Sequence, residues 1–222
     1  MTRCFVIGNG PSLAKMNLDR MAGEVSIGCN RIDLMYPKTK WRPTHWVSIE
    51  RTRQDLNWDD IIIEHLDLGI ETYIFEQYWG VVGGTLPLDH PRLHILKMCN
   101  HESPNGQRGN RSWVAPDWHL PTLCRWHHTG IAAIQLAVRE GFNPIYVVGH
   151  DGDYVDKLGE SHFLPEYECR QMRTIQQARV LNKVLDIAHT KTEEECKKRG
   201  VRIFNAGLVP LIYPSVNYEE LF

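Results

Sequence analysis

Short apolar runs separated by polar turns recur along the chain and predict alternating strands and helices. Two longer stretches repeat their apolar residues at steps of three and four, which predicts helices over 129–140 and 169–199, ended by Gly141 and Gly200. The run 61–63 is too short to assign to helix or strand. The predicted strands lie at 3–8, 25–29, 45–49, 71–75, 145–149 and 201–205.

The alternation of strands with helices, and strands that are apolar on both faces, indicate the α/β class. We expect a Rossmann-like parallel sheet flanked by helices, in a single nucleotide-binding domain over 1–222. An irregular inserted loop region over 76–128 holds six of the 11 His and four of the seven Trp and shows no regular period. It is either a functional loop or a set of short connections around aromatic anchors. A second irregular stretch, 152–168, is predicted as a lid with Gly152 and Gly159 as hinges.

Charge and composition exclude several classes of protein. The formal net charge is −2, so a protein that coats nucleic acid non-specifically is not expected. No apolar run reaches the roughly 18 residues of a membrane span, and the N-terminus does not read as a signal peptide. The six Cys are scattered without a C-x-x-C pair, which favours free thiols and a cytoplasmic location. A homo-oligomer stays open.

Small, amide, hydroxyl and carboxylate residues cluster where the predicted strands end. In open α/β sheets, ligands bind beyond the carboxyl ends of the strands, so we expect these residues to share one cleft. Such groups suit a nucleotide or a sugar better than an apolar ligand. The candidates are Gly8, Asn9, Gly10, Ser12, Asn30, Glu50, Thr129, Gly130, Gly149, Asp151 and Asn205.

The turn GNGPS after the first strand has the chemistry of an anion site. Its two glycines permit a sharp turn and a close approach of a ligand, and Ser12 is able to cap a helix. Free backbone amides there would hold a phosphate. The turn lacks the third glycine of a G-x-G-x-x-G motif and the lysine of a P-loop. A plain strand-to-helix turn is the alternative.

Two features after the strand at 145–149 are candidates for catalysis. Asp151 and Asp153 form a D-x-D pair that could bind a divalent cation such as Mg²⁺. An acidic turn, with Asp151 as a structural or sugar-hydroxyl acceptor, is the alternative reading. His162 could act as a general acid or base near neutral pH. His128 precedes the helix at 129–140, where a neutral hydrogen-bonding role is favoured.

The segments FVIGNGPSL, GCN, TGIAAIQLAVREGFNPIYVVGHD and SHF together resemble the family 42 sialyltransferases of bacteria. They also resemble a related group of domains of unknown function, which includes proteins similar to 6-hydroxymethylpterin diphosphokinase and motility accessory factors. The ending VRIFNAGLVPLIYPSVNYEELF is similar to the C-terminal part of that group. The resemblance covers residues 3–31, 128–163 and 200–222.

The resemblance to the sialyltransferases implies a role for individual residues. It implies His162 as general base, and Tyr154 as a group that stabilises the leaving phosphate. Glu50 stands where those enzymes carry Asn. The implied contacts with the nucleotide donor are Asn9, Gly10, Ser12, Asn30, Thr129 and Gly130, with Gly149 and Asp151 at the end of their strand.

Three functions follow from these observations. The first is a glycosyltransferase of sialyltransferase-like type that uses a nucleotide-activated sugar and an unidentified acceptor. The second is a diphosphokinase that acts on a pterin-like alcohol and uses Mg²⁺ held by Asp151, Asp153 or Glu50. Glu50 and the D-x-D pair favour this second function. The third is a non-catalytic module that binds a nucleotide.

Overall fold

The structure is a computed structural model that describes residues 1–49, 58–75, 86–97, 118–123, 128–152, 160–167 and 174–222. Within these ranges the chain forms one parallel sheet with helices on both of its faces. The strands are β1 (Cys4–Ile7), β2 (Ser26–Cys29), β3 (His45–Ser48), β4 (Glu71–Phe75), β5 (Leu93–Leu96), β6 (Ile145–Val148) and β7 (Ile203–Asn205). The α-helices are α1 (Trp58–Asp67), α2 (Thr129–Arg139) and α3 (Ile175–Lys198), and 3-10 helices lie at Pro11–Lys15, Leu18–Met21, Asn30–Lys38, Pro165–Tyr167 and Tyr218–Leu221.

The order of strands across the sheet is β5-β4-β3-β2-β1-β6-β7, and every described pairing is parallel. The chain builds outward from β1 to β5 and then returns to the other side of β1 with β6. The winding therefore reverses between β1 and β6. This reversal is the point where open α/β sheets form a crevice at their carboxyl edge. The predicted α/β class and parallel sheet are confirmed.

The sheet separates two hydrophobic cores. Alternate side chains of β1 enter opposite cores, with Cys4 and Val6 on one face and Phe5 and Ile7 on the other. All four side chains are fully buried, as expected for a central strand covered on both sides. Helix α2 fills the first core and is buried nearly all round, which explains its apolar composition.

The structure assigns one segment that the sequence left ambiguous and corrects the prediction for another. The ambiguous run 61–63 belongs to helix α1, which buries Ile61 and Ile62 against the second core. The insert 76–128, predicted without regular structure, contains strand β5, which extends the sheet beside β4. Trp118 and Leu123 of the same insert are buried in the first core.

Cysteine chemistry follows the prediction where the structure describes it. Cys4, Cys29 and Cys196 are buried free thiols. Burial raises the pKa of all three thiols, which keeps them protonated. In the described ranges, none of the helices has both the length and the apolar character needed to cross a membrane.

Candidate functional site

The turn after β1 and the turn after β6 lie side by side at the point where the winding reverses. The amide of Gly10 donates to the carbonyl of Gly149 at 2.8 Å, and the amide of Gly8 donates to Val148 at the same distance. Both turns are thus joined by backbone hydrogen bonds directly beyond the carboxyl ends of their strands. This places the GNGPS turn and the Gly149 turn in the crevice that the sequence predicts.

Asp151 closes the GNGPS turn from the neighbouring strand. Its carboxylate accepts hydrogen bonds from the Ser12 amide at 2.6 Å and from the Ser12 hydroxyl at 2.5 Å. A Cβ atom on Gly10 would lie 2.5 Å from Asp151 Cγ, which is too close for any side chain. Glycine at position 10 thus leaves room for the Asp151 carboxylate beside the turn. Asp151 acts here as a structural acceptor, and it satisfies an amide at the start of the 3-10 helix.

Asn30 connects the end of β2 with β3 and with the first residue of α2. Its side-chain oxygen accepts hydrogen bonds from the hydroxyls of Ser48 and Thr129, each at 3.0 Å. Its backbone carbonyl accepts from the indole of Trp46 at 2.7 Å, and its φ of 45° lies in the left-handed region that asparagine tolerates. With its oxygen occupied, the amide nitrogen of Asn30 makes no hydrogen bond among the described residues.

Asn9 connects the GNGPS turn with the segment that carries His162. Its amide nitrogen donates to the Cys29 carbonyl at 2.8 Å and to the Tyr167 hydroxyl at 2.9 Å, and its carbonyl accepts from the Phe163 amide at 3.1 Å. The Asn9 side-chain oxygen is buried and finds no hydrogen-bond donor in the part of the chain that the structure describes. A buried acceptor without a hydrogen-bond donor destabilises the protein by about 1–3 kcal/mol. A ligand that donates a hydrogen bond to this oxygen would remove that penalty and bind more tightly.

His162 lies on this segment against an aromatic ring. Its imidazole stacks on Tyr167 with 3.9 Å between ring centroids and 7° between ring planes. His162 is half-buried, whereas Phe163 and Tyr167 belong to the second core. The segment 160–167 therefore has two apolar anchors that the lid prediction did not include. Closure of 152–168 over the cleft stays a prediction.

Three buried histidines form a cluster beside the turns. The ring centroids of His128 and His150 are 5.7 Å apart, those of His150 and His189 are 5.7 Å apart, and those of His128 and His189 are 6.4 Å apart. His189 shares a 2.8 Å hydrogen bond with the Tyr213 hydroxyl. Both nitrogens of His150, Nδ1 of His128 and Nε2 of His189 have no hydrogen-bond partner among the described residues.

Burial keeps these three imidazoles neutral. It lowers the pKa of His128 to about 4 and that of His189 to about 3, and it lowers the pKa of His150 well below the ordinary 6.5. The neighbouring imidazoles act in the same direction, and His162 is the neighbour that lowers the pKa of His128. His162 is therefore within electrostatic reach of the cluster.

Gly130 packs directly against the cluster. A Cβ atom at this position would overlap Cε1 of His150 and would lie 2.8 Å from Cε1 of His128. Glycine is thus required at the start of α2 by the two imidazoles. The position also belongs to the first turn of the helix, whose amides lack intrahelical partners and attract anions.

Asn205 organises the chain after β7 at the same edge of the sheet. Its amide nitrogen donates to the Val209 carbonyl at 2.9 Å, and its side-chain oxygen accepts from the Gly207 amide at 3.0 Å. Asn205 is 2% exposed, so the side chain acts inside its own turn. A structural role accounts for both of these contacts.

The structure bears on only part of the predicted metal site. Glu50 and Asp153 lie outside the described residues, as does Tyr154. Asp151, the third candidate ligand, has a hydrogen bond from Ser12 on each of its two oxygens. In the described ranges, no group of three or more His, Cys, Asp or Glu side chains is arranged to hold a metal ion.

Two contributors were not identified from the sequence. His189 lies four residues after Leu185, a spacing that would have suggested a buried position on α3 but does not show which residues surround it. Tyr167 stands four residues after Phe163, a spacing that would have suggested a shared anchor. Both act through contacts with residues distant in the chain.

The fold and the crevice define a doubly wound α/β protein with a polar site at its switch point. No protein-family model matches the chain, and no curated protein matches it. Among solved structures, the chain is similar to the MAf glycosyltransferase from Magnetospirillum magneticum AMB-1, with 14% identity and a TM-score of 0.54 over 100% of this chain. The match covers 34% of that protein, so this chain spans about a third of its length.

The chain is also similar to the sialyltransferase CstII from Campylobacter jejuni, solved in complex with the substrate analogue CMP-3FNeuAc. Identity is 15% and the TM-score is 0.51, over 97% of this chain and 89% of that one. At such identities the two comparisons establish a shared fold. The fold is that of solved glycosyltransferases.

Proposed function

We propose that this chain is a glycosyltransferase of sialyltransferase-like type, with His162 as the general base. The observation that carries the proposal is the arrangement at the switch point between β1 and β6. There Asn9 connects the GNGPS turn with the segment that bears His162, at the edge where α/β sheets bind nucleotides. The shared fold with two glycosyltransferases, one of them solved with a CMP-sugar analogue, supports the same function.

Two asparagines give the cleft complementary hydrogen-bonding groups. Asn30 has its oxygen occupied by Ser48 and Thr129, so its two N–H bonds are the groups left for a ligand. Asn9 has its nitrogen occupied by Cys29 and Tyr167, so its buried oxygen is the group left. A nucleotide donor offers phosphate oxygens to the first and hydroxyl or amino groups to the second.

The proposed reaction moves a sugar from a nucleotide to a hydroxyl group. His162 takes the proton of the acceptor hydroxyl while its oxygen forms a bond to the anomeric carbon of the donor sugar. The bond from that carbon to the phosphate oxygen breaks, and the nucleotide leaves with the electron pair and the negative charge. The first-turn amides of α2 at Thr129 and Gly130 would stabilise this charge, together with Tyr154.

The test combines nucleotide titration with an isosteric variant. We expect CMP to bind in calorimetric titration, and the Asn30→Asp variant to bind it at least tenfold more weakly because a carboxylate replaces the amide N–H donors. The aspartate can still accept hydrogen bonds from Ser48 and Thr129, so the fold should persist. Asn217→Asp, on an exposed cap of the last 3-10 helix, is the matched control.

Activity assays separate transfer from the other candidate functions. Release of CMP from a CMP-sugar donor in the presence of acceptor glycans should fall by roughly 10²–10⁴-fold in His162→Ala. Binding of CMP without any turnover would favour a non-catalytic module. Binding of ATP with Mg²⁺ in place of CMP would overturn the proposal in favour of the diphosphokinase.

A further inference from the structure

We propose that Tyr167 is the positioning residue for His162, and that Asn9 in turn holds Tyr167. The inference rests on the proposed function for the chemistry of His162, and on geometry alone for the position of its ring. It assigns a role to a residue outside the candidate site predicted from the sequence.

The contact between the two rings is close and parallel. The imidazole of His162 lies 3.9 Å from the Tyr167 ring by centroid distance, with 7° between the planes. Tyr167 is 9% exposed and packs edge-on against Phe163, whose ring centroid lies 5.7 Å away at an interplanar angle of 77°. A histidine side chain rotates about two bonds, so a flat ring against its face removes most of its alternative orientations.

The hydroxyl of Tyr167 fixes the phenol ring relative to the donor turn. Asn9 donates to it at 2.9 Å, and the Asn9 carbonyl accepts from the Phe163 amide at 3.1 Å. The segment is thus attached to the GNGPS turn at two points, at Phe163 directly after His162 and at Tyr167, on which the His162 ring stacks. A ligand held by that turn would meet an imidazole whose distance from the turn is already set.

Such positioning matters because general-base catalysis depends on placement. A displacement of about 1 Å in a catalytic group can cost on the order of 10²-fold in rate. His128 is held neutral by burial and lies within electrostatic reach of His162. A fixed His162 ring would keep its nitrogen atoms at a constant distance from the GNGPS turn.

Three variants separate the stack from the tether. Tyr167→Leu keeps an apolar side chain and removes the ring, and it should lower kcat on the order of 10²-fold with less than a threefold change in CMP affinity. Tyr167→Phe keeps the ring and loses the hydrogen bond from Asn9. It should lower kcat about fivefold, which corresponds to the net free energy of one hydrogen bond. Tyr218→Leu is the control for packing loss, because Tyr218 is also buried and its hydroxyl donates to the Asn17 carbonyl.

A double variant tests whether Tyr167 acts through His162. In His162→Ala the base is already gone, so adding Tyr167→Leu should cause no further loss in kcat. Multiplied losses in the double variant would overturn the proposal, as would a kcat loss in Tyr218→Leu equal to that in Tyr167→Leu.

Nuclear magnetic resonance tests the position without any turnover. The ring protons of His162 should be shifted upfield by the Tyr167 ring current in the wild type and in Tyr167→Phe, and should return to ordinary values in Tyr167→Leu. An unshifted His162 resonance in the wild type would overturn the proposal even in an active enzyme. An inactive protein with the upfield shift would instead reject the proposed function and leave the positioning intact.

Discussion

The three buried histidines make the fold sensitive to mild acid, and removing one of them should reduce this sensitivity. Burial lowers the pKa of His128 to about 4 and that of His189 to about 3, and it lowers the pKa of His150 well below 6.5. In the unfolded chain each pKa returns to about 6.5. Above that pH both states are neutral and stability does not depend on these groups. Below about pH 6.5 the unfolded chain binds more protons than the folded chain. The free energy of unfolding therefore decreases as the pH falls from about 6.5 to the folded-state pKa values.

The size of the effect follows from the pKa difference. At pH 5, roughly 1.5 units below the unfolded value, His128 and His189 each lower the free energy of unfolding by about 2 kcal/mol, because their folded-state pKa values of about 4 and about 3 lie below that pH. These two histidines together contribute about 4 kcal/mol, a large part of the total stability of a typical domain, and His150 acts in the same direction. His45 and His65 also have lowered pKa values because of burial, and they contribute equally in wild type and variant.

His189→Gln is the sharpest variant for this test, because glutamine can still bond to the Tyr213 hydroxyl. Urea unfolding at pH 7.5 and at pH 5, followed by tryptophan fluorescence, gives the free energy of unfolding at each pH. We expect the difference between the two pH values to shrink by about 2 kcal/mol in the variant. The exposed His119, changed to Gln, is the control and should leave the difference unaltered. A variant that loses as much stability as the wild type between the two pH values would refute the reasoning.

Two further results are expected from the described contacts. Asn205→Ala should lower the free energy of unfolding by about 1–3 kcal/mol in urea titration, because it leaves the Val209 carbonyl and the Gly207 amide unpartnered. CMP affinity should change less than threefold in that variant, and a larger change would mean that Asn205 contacts the ligand. Cys4 and Cys29 should resist iodoacetamide until the protein is unfolded, since burial raises their thiol pKa values; peptide mass spectrometry that finds either one labelled in the native state would contradict this.

The strands and the edge that carries the site were predictable because both depend on local patterns. The runs 4–7 and 145–148 carry no charged side chain and repeat without polar alternation, as a strand covered on both faces requires. Once the sheet is parallel, the carboxyl ends of its strands share one edge. The meeting of Asn30 with Thr129 follows from that rule, and the structure joins their side chains directly.

The parts that were missed depend on contacts between distant residues. Strand β5 has four residues and follows Pro91 and Arg92, so it shows no period that separates it from a loop. Its strand state comes from pairing with β4, which no local pattern encodes. The histidine cluster likewise combines residues from the end of β6, the start of α2 and the middle of α3.

The GNGPS turn illustrates how one sequence pattern supports two explanations. A glycine at position 10 suits close approach of a ligand, and it also suits the Asp151 carboxylate, which would lie 2.5 Å from a Cβ there. Sequence alone does not distinguish these explanations, because Asp151 is 141 positions away in the chain. The structure shows the Asp151 carboxylate beside Gly10, and substitutions at these two positions can measure how strongly they are coupled.

A double-mutant cycle on Gly10 and Asp151 separates the two explanations. Gly10→Ala in the wild type should lower the free energy of unfolding by about 1–3 kcal/mol, because the methyl group overlaps the carboxylate. In the Asp151→Ala background the same substitution should cost much less, since the obstructing group is gone. Urea unfolding of the four proteins gives the coupling energy. Equal costs in both backgrounds, together with weakened CMP binding, would show instead that the space beside Gly10 is kept for the ligand.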